Sequence, residues 1–277
     1  MNNGKIVFIG GGNMARSLIG GLVADGLPAQ QIHVLDTQTA VLKALQHDYN
    51  VHVHEDLANA VQSAEVILLA IKPQQIQDVV KALSTVWPAN AVLISIAAGI
   101  RLGDLDRWLQ QPEAAIVRAM PNTPSLVQAG ATALFANSQV NNHQRELAEG
   151  ILRAVGLAIW LDDETKMDAV TALSGSGPAY FFLVMEAMEN AAIELGLPQE
   201  TARLLCLETA FGAAKMALES GVPAKQLRQQ VTSPGGTTER AIHELEDGGL
   251  HGLFENALVA AALRARELGD QLGQDHD

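Results

Sequence analysis

The sequence predicts a doubly wound α/β domain with a mostly parallel sheet, followed by an all-α domain. Two observations carry this. In the first half, short apolar runs rich in β-branched residues alternate with stretches of helical periodicity. From about residue 164 onward the pattern is helical throughout. The boundary is therefore placed at 162, giving an α/β domain over 1–162 and a helical domain over 163–277.

Residues 5–9 (KIVFI) form the first strand, and the stretch from Ala15 the first helix. A second strand, IHVLD, ends at Asp36, and a helix over 38–47 and a short strand over 51–53 follow. The runs 64–71, 91–97 and 114–120 are apolar on both alternating positions, as strands buried on both faces must be. Helical spacing fills the gaps, as in QQIQDVVKAL and LGDLDRWL. A strand over 130–136, a helix near 141–154 and a strand over 157–161 complete the first domain. Helices are expected over 165–172, 177–195, 199–219, 224–230, 237–247 and 250–270, with stops at Gly196-Leu197-Pro198 and Gly221-Val222-Pro223. The segments between 177 and 219 are apolar on more than one face, which demands burial on all sides. A partner subunit or the first domain must supply the cover. The tail GQDHD is expected to be disordered.

Composition narrows the function. The chain has 277 residues, 48% of them hydrophobic, and a formal charge of −13. Nucleic acid or an anionic membrane as partner needs a basic face, so neither is expected. No apolar run reaches membrane-spanning length and the start lacks the layout of a secretory signal, so a cytoplasmic protein is expected. The single cysteine, Cys206, sits in an apolar helical run and is expected to be a buried small hydrophobe. The histidines form no metal-like cluster: His52 and His54 alternate on a strand and are expected to face solvent. No metal site is expected.

Two loops carry chemistry. The stretch FIGGGNMA matches a dinucleotide fingerprint that ends in alanine. Gly10 turns the chain out of the strand, and Gly12 leaves room for a pyrophosphate. Asn13 and Met14 open the helix, and Ala15 packs it onto the strand. Asp36, about 20 residues on, stands where an acid bonds a ribose 2′-hydroxyl. That spacing favours NADH. Thr37, Gln38 and Thr39 offer no cation for a 2′-phosphate, and Arg16 lies too far along its helix. Three more loops leave strand C-termini: AIKPQQ with Ala70, Lys72 and Pro73, IAAGI with Ala97 and Ala98, and RAMPNTPSL with Asn122. Lys72 either faces phosphate or ribose or stands in solvent. Asn122 either bonds a carboxamide or caps a turn.

The second loop is TSPGGTTER, residues 232–240. If a helix starts near 237, the N–H groups of Gly235, Gly236, Thr237 and Thr238 lack intrahelical acceptors and carry the positive end of the helix dipole. Ser233 and Thr238 add hydroxyls. An acidic protein can hold a carboxylate this way without a lysine. Ser, Thr and Gly also simply cap helices.

Taken together, FIGGGNMA, AIKPQQ, SIAAG, RAMPNTP, ALSGSGPAYFF and VTSPGGTTERAI resemble the pyrroline-5-carboxylate reductases, in order and over nearly the whole chain. The resemblance implies a Rossmann domain and a helical domain that dimerises by interleaving, often within larger rings of dimers. It implies reduction of the cyclic imine 1-pyrroline-5-carboxylate to L-proline, with NADPH or NADH as cofactor. It also implies that Ser233, Gly235, Gly236, Thr237 and Thr238 grip the substrate carboxylate, with Thr238 reaching the ring nitrogen or carboxylate as the catalytic residue. Glu164 and the segment 173–180, with Ser176, would line the same pocket, formed between subunits. Asp36 departs from the hydroxyl or basic residues that many members carry after the second strand. Two other readings stay open. A β-hydroxyacid dehydrogenase would need a lysine on the helix after SGSGPAY, and none occurs before Lys215. A nucleotide-sensing protein without turnover would not need SPGGTT.

Overall fold

The structure is a computed structural model and describes residues 4–275. Its sheet has eight strands in the order β3-β2-β1-β4-β5-β6-β7-β8. They are β1 (Lys5–Ile9), β2 (Ile32–Leu35), β3 (His52–His54), β4 (Ala64–Leu69), β5 (Val92–Ser95), β6 (Ala115–Met120), β7 (Gly130–Ala136) and β8 (Gly156–Trp160). Every pairing is parallel except β6 with β7, which is antiparallel. The connection 121–129 is too short for the crossover that a parallel neighbour requires.

Helices cover both faces, which is why the strands read as unbroken apolar runs. Along β1, Ile6 and Phe8 pack into a core with Leu18 and Leu22 of α1 (Asn13–Ala24) and Leu45 of α2 (Thr39–Tyr49). Val7 and Ile9 point the other way, into a core with Val61 of α3 (Leu57–Val61), Ile76 and Val80 of α4 (Pro73–Ser84) and Trp108 of α5 (Leu102–Leu109). Period-two side chains against two helical layers fix the register, because a one-residue slip would swap the two cores. α6 (Asn142–Arg153) starts with a reciprocal cap, Asn141 Oδ1 accepting from Gln144 N at 2.9 Å and Gln144 Oε1 from Asn141 N at 3.1 Å.

The chain divides into two compact units, and the division differs from the expected one. The first holds the sheet and runs to Ser176, and the chain from Ala261 on belongs to it as well. The second is Gly177–Ala260. Residues 163–176, with α7 (Met167–Val170) and a wide π turn at Thr171–Gly175, thus join the α/β unit. So does the end of α12 (Leu250–Leu272), where Ala265 and Gly269 are buried and Asp270 pairs with Arg101 at 2.7 Å. The tail is not disordered as far as Asp275. Gly273 O accepts from Arg107 Nη2 at 2.5 Å, and Asp275 Oδ1 accepts from Trp108 Nε1 at 2.8 Å. Polar tail residues found partners here that no local pattern announces. His276 and Asp277 lie outside the described residues.

The second unit contains α8 (Gly177–Glu194), α9 (Gln199–Ser220), α10 (Ala224–Gln230) and α11 (Thr237–Asp247) with the start of α12. Among its described residues only Gly177, Ala202 and Cys206 are buried. Phe181, Phe182, Leu183, Leu204, Leu205 and Phe211 are all exposed. A helical unit with so little interior cannot offset its chain entropy alone, so this apolar surface requires cover. Cys206 is the buried small residue expected, its Sγ 3.5 Å from Met185 O.

His54 does not face solvent freely. Its Nε2 lies 2.8 Å from His33 Nδ1, and the rings of His52 and His54 both stack on His33. Burial, assisted by Lys5 and the two neighbouring imidazoles, lowers the His33 pKa to about 4. Unfolded, this histidine titrates near 6.5, so between those values the unfolded chain takes up a proton that the folded chain refuses. The stabilising contribution is therefore complete above about 6.5 and is lost as pH falls toward 4. His33→Gln is expected to flatten part of the decline in the urea midpoint between pH 7 and pH 5. An unchanged slope would show that the trio does not control it. Among the described residues, no group of three or more His, Cys, Asp or Glu is arranged to hold a metal, and no helix is long and apolar enough to cross a membrane.

Candidate active site

The strand order runs outward from β1 in one direction through β2 to β3 and in the other from β4 onward. At that reversal, the C-terminal ends of β1 and β4 leave a crevice, the place where open α/β sheets bind ligands. A cleft of about 460 Å³ lies there. Gly10, Gly12, Asp36, Ala70 and Lys72 line it.

The glycines are fixed by space. Gly10 has φ +99°, and a Cβ on it would stand 2.5 Å from Ala70 O. Glycine is the residue that adopts this conformation without strain. A Cβ on Gly12 would meet nothing within 4 Å. Gly12 is the N-cap of α1 and makes no side-chain cap bond. The N–H groups of Asn13, Met14 and Ala15 have no acceptor among the described residues, Arg16 N being the first to bond back, to Gly12 O at 2.9 Å. An open cradle before three unfilled amides fits the pyrophosphate of a dinucleotide.

Asp36 is held rigidly. Its Oδ2 accepts from Gly11 N and its Oδ1 from Gln38 N, both at 2.8 Å. Lys72 stands at the N-cap position of α4 without a side-chain cap bond, with Pro73 at the first helical position, and is exposed in the cleft wall. Sequence reasoning missed Glu55 and Asp78, which also line the cleft. Glu55 could have been found, since it follows β3 on the same sheet edge as Asp36.

Other expected members stand elsewhere. Ala97 is buried in the turn after β5, and neither it nor Ala98 lines this cleft. Asn122 already has a protein partner at each end of its amide. Its Oδ1 accepts from Ala131 N at 2.9 Å and its Nδ2 donates to Ser174 O at 3.0 Å, so the buried side chain ties β7 to the π turn. Glu164 is also committed. Its Oε1 accepts from Arg118 Nη1 and from Leu102 N, each at 2.9 Å. It thereby neutralises a buried arginine and fills an orphan donor at the start of α5. It borders a pocket of about 350 Å³ with Arg101, Thr165, Asp168, Arg266 and Asp270. Ser176, half-buried, donates its N–H to Thr171 O at 2.8 Å.

In the second unit, α11 starts at Thr237 with Gly236 as N-cap. Gly235 takes φ +73°, the turn that only glycine makes easily. The four expected N–H groups are not all open. Gly235 N donates to Glu239 Oε2 at 2.8 Å and Gly236 N to Ser233 O at 3.0 Å. Glu239 stands at N3, and its carboxylate reaches back past the N-cap to Gly235. Thr237 N and Thr238 N have no acceptor among the described residues, and both residues are exposed, as is Ser233.

Known proteins resemble this chain along its whole length. The family described as pyrroline-5-carboxylate reductase dimerisation matches residues 164–268, and that described as NADP oxidoreductase coenzyme F420-dependent matches residues 5–99. A pyrroline-5-carboxylate reductase from Pseudomonas aeruginosa is 50% identical over 274 residues, covering 99% of this chain and 100% of the relative. The structure of a pyrroline-5-carboxylate reductase from Coxiella burnetii superposes with TM-score 0.93 at 49% identity, covering 96% of this chain and 99% of that one. The crystal structure of pyrroline carboxylate reductase from Plasmodium falciparum with NADP bound superposes with TM-score 0.85 at 28% identity, covering 97% and 99%. With an open glycine loop before unfilled amides at the sheet's reversal and a relative half identical from end to end, this chain belongs to the pyrroline-5-carboxylate reductase family.

Proposed function

We infer that this chain is an NAD(P)H-dependent pyrroline-5-carboxylate reductase, which reduces the cyclic imine 1-pyrroline-5-carboxylate to L-proline in the last step of proline biosynthesis. The observation that carries this reading is a pair of unfilled helix starts in a protein of charge −13: α1 opens on the cleft at Gly12, and α11 opens at Thr237 and Thr238. One suits a pyrophosphate and the other a carboxylate.

When bound, NAD(P)H would supply a hydride to the imine carbon, with the ring nitrogen protonated by solvent or already bound as the iminium. The protein's part is to hold both molecules and keep the ring in place. Gly10 and Gly12 shape the loop over which the pyrophosphate lies, the start of α1 at Asn13, Met14 and Ala15 bonds it, and Asp36 takes the ribose. Thr237 N, Thr238 N and the hydroxyls of Ser233 and Thr238 grip the substrate carboxylate. Gly235 and Gly236 act by shaping the turn, since their own amides are taken. Thr238 is the residue that touches the reacting end of the ring. Glu164 positions Arg118 and α5 rather than meeting the imine. Through the exposed apolar faces of its C-terminal helices the chain forms a homodimer, which can build a larger ring of dimers. It works in the cytoplasm, with no nucleic acid or membrane as partner.

Thr238→Ala tests the site. A hydrogen bond to a charged group contributes about 1.5–3 kcal/mol, so kcat/KM for pyrroline-5-carboxylate should fall roughly 10- to 100-fold. Affinity for the cofactor should stay within about twofold, because Thr238 belongs to a different helix start. Thr238→Ser should restore most of the loss. Undiminished turnover in Thr238→Ala would remove this loop from the reaction.

A further inference from the structure

We propose that the cleft selects NADH over NADPH, with Asp36 as the residue that decides. The inference rests on the reading of this cleft as the dinucleotide site. Asp36 ends β2, on the sheet side where the adenosine ribose of a cofactor held at Gly12 falls. An acid there accepts the two ribose hydroxyls and repels a 2′-phosphate.

The structure removes the escape that an acid at this position usually has, which is to swing away. Each oxygen of Asp36 accepts a backbone N–H at 2.8 Å, from Gly11 on one side and Gln38 on the other. Both are charge-assisted bonds, and rotating the carboxylate breaks both. Each oxygen keeps a lone pair for a ribose hydroxyl, so the clamp does not compete with NADH.

The surroundings add to the effect. Glu55 and Asp78 line the same cleft, and Lys72 is the only cation among the described lining residues. Lys72 follows β4, on the far side of β1 from β2, so it is on the wrong side to neutralise a 2′-phosphate at Asp36. Arg16, the arginine of α1, is engaged by Asp48 and lies over the ring of Tyr49. No other positive group is available to offset Asp36 among the lining residues.

The test is direct binding, by quenching of intrinsic fluorescence or by calorimetry, of NADH and NADPH to the full-length protein and to Asp36→Asn. Asparagine keeps one acceptor for the clamp and removes the charge. Like charges facing each other suppress a partner strongly, so the wild type should bind NADH at least about tenfold more tightly than NADPH. In Asp36→Asn the ratio should shrink to within about threefold, mainly through tighter NADPH. Equal or tighter NADPH binding by the wild type overturns the preference while leaving the cleft as the cofactor site. A preference that survives unchanged in Asp36→Asn overturns the role of Asp36. Failure of both dinucleotides to bind overturns the preference and the assignment of the cleft together.

Discussion

Gly12→Val is expected to abolish cofactor binding while leaving the fold in place. A Cβ at Gly12 meets no protein atom within 4 Å, and its φ of −66° and ψ of −175° are ordinary for valine. The added methyls enter only the space before the free amides at the start of α1. The neighbouring glycines would not give so clean a result. A Cβ at Gly10 strikes Ala70 O, and one at Gly11 stands 2.6 Å from Val41 Cγ1, so either substitution would disturb the fold as well. Valine at an N-cap costs about 1 kcal/mol or less relative to glycine, so thermal unfolding of the free variant should barely change. Dinucleotide at about 100 times its Kd adds roughly 2.7 kcal/mol to the wild type and should add nothing measurable to the variant. Titration with NADH and NADPH beside melts with and without cofactor reads both effects. Normal affinity in Gly12→Val would place the dinucleotide elsewhere.

The second large effect is one of stability. Glu164→Ala leaves the guanidinium of Arg118, which is 6% exposed, without its only partner among the described residues. It also orphans Leu102 N at the start of α5. An uncompensated buried charge costs about 3–5 kcal/mol; Glu164 is itself partly open to water, so a loss of about 3 kcal/mol is expected in urea denaturation. Glu164→Gln retains an acceptor for Leu102 N and should lose less. Replacing both partners with apolar residues, as in Glu164→Leu with Arg118→Met, should recover much of the loss. A midpoint unmoved by Glu164→Ala would mean that the pair holds nothing together, and would return Glu164 to the substrate.

The elements and their order were legible because each leaves a local trace. Strands buried on both faces show as continuous apolar runs, as in Ile67 to Leu69, and helices as periodic ones. The glycines of the fingerprint were legible because Gly10 needs a backbone turn and Gly12 needs empty space, and both are demands on a single residue. The partners of polar side chains were not. Asn122 and Asp36 carried a ligand role from their place after a strand, and Glu164 from the family resemblance; Asn122 meets Ser174 and Ala131, Asp36 meets Gly11, and Glu164 meets Arg118 and Leu102, partners brought from elsewhere in the chain. Glu239 finds its partner closer, accepting from Gly235 N four positions back.

The amino-acid sequence by itself determined the alternation of strand and helix, the glycine cradle and the helix start at Thr237, because periodicity, steric room and orphan amides are local properties of the chain. Only the tertiary structure decided which carboxylates and amides remain free for a ligand and where the C-terminal residues dock. A hydrogen bond is short-ranged and directional, so who fills it depends on segments that sequence distance does not bring together. Arg118 lies 46 positions from Glu164, and Trp108 lies 167 from Asp275, yet each pair meets within 3 Å.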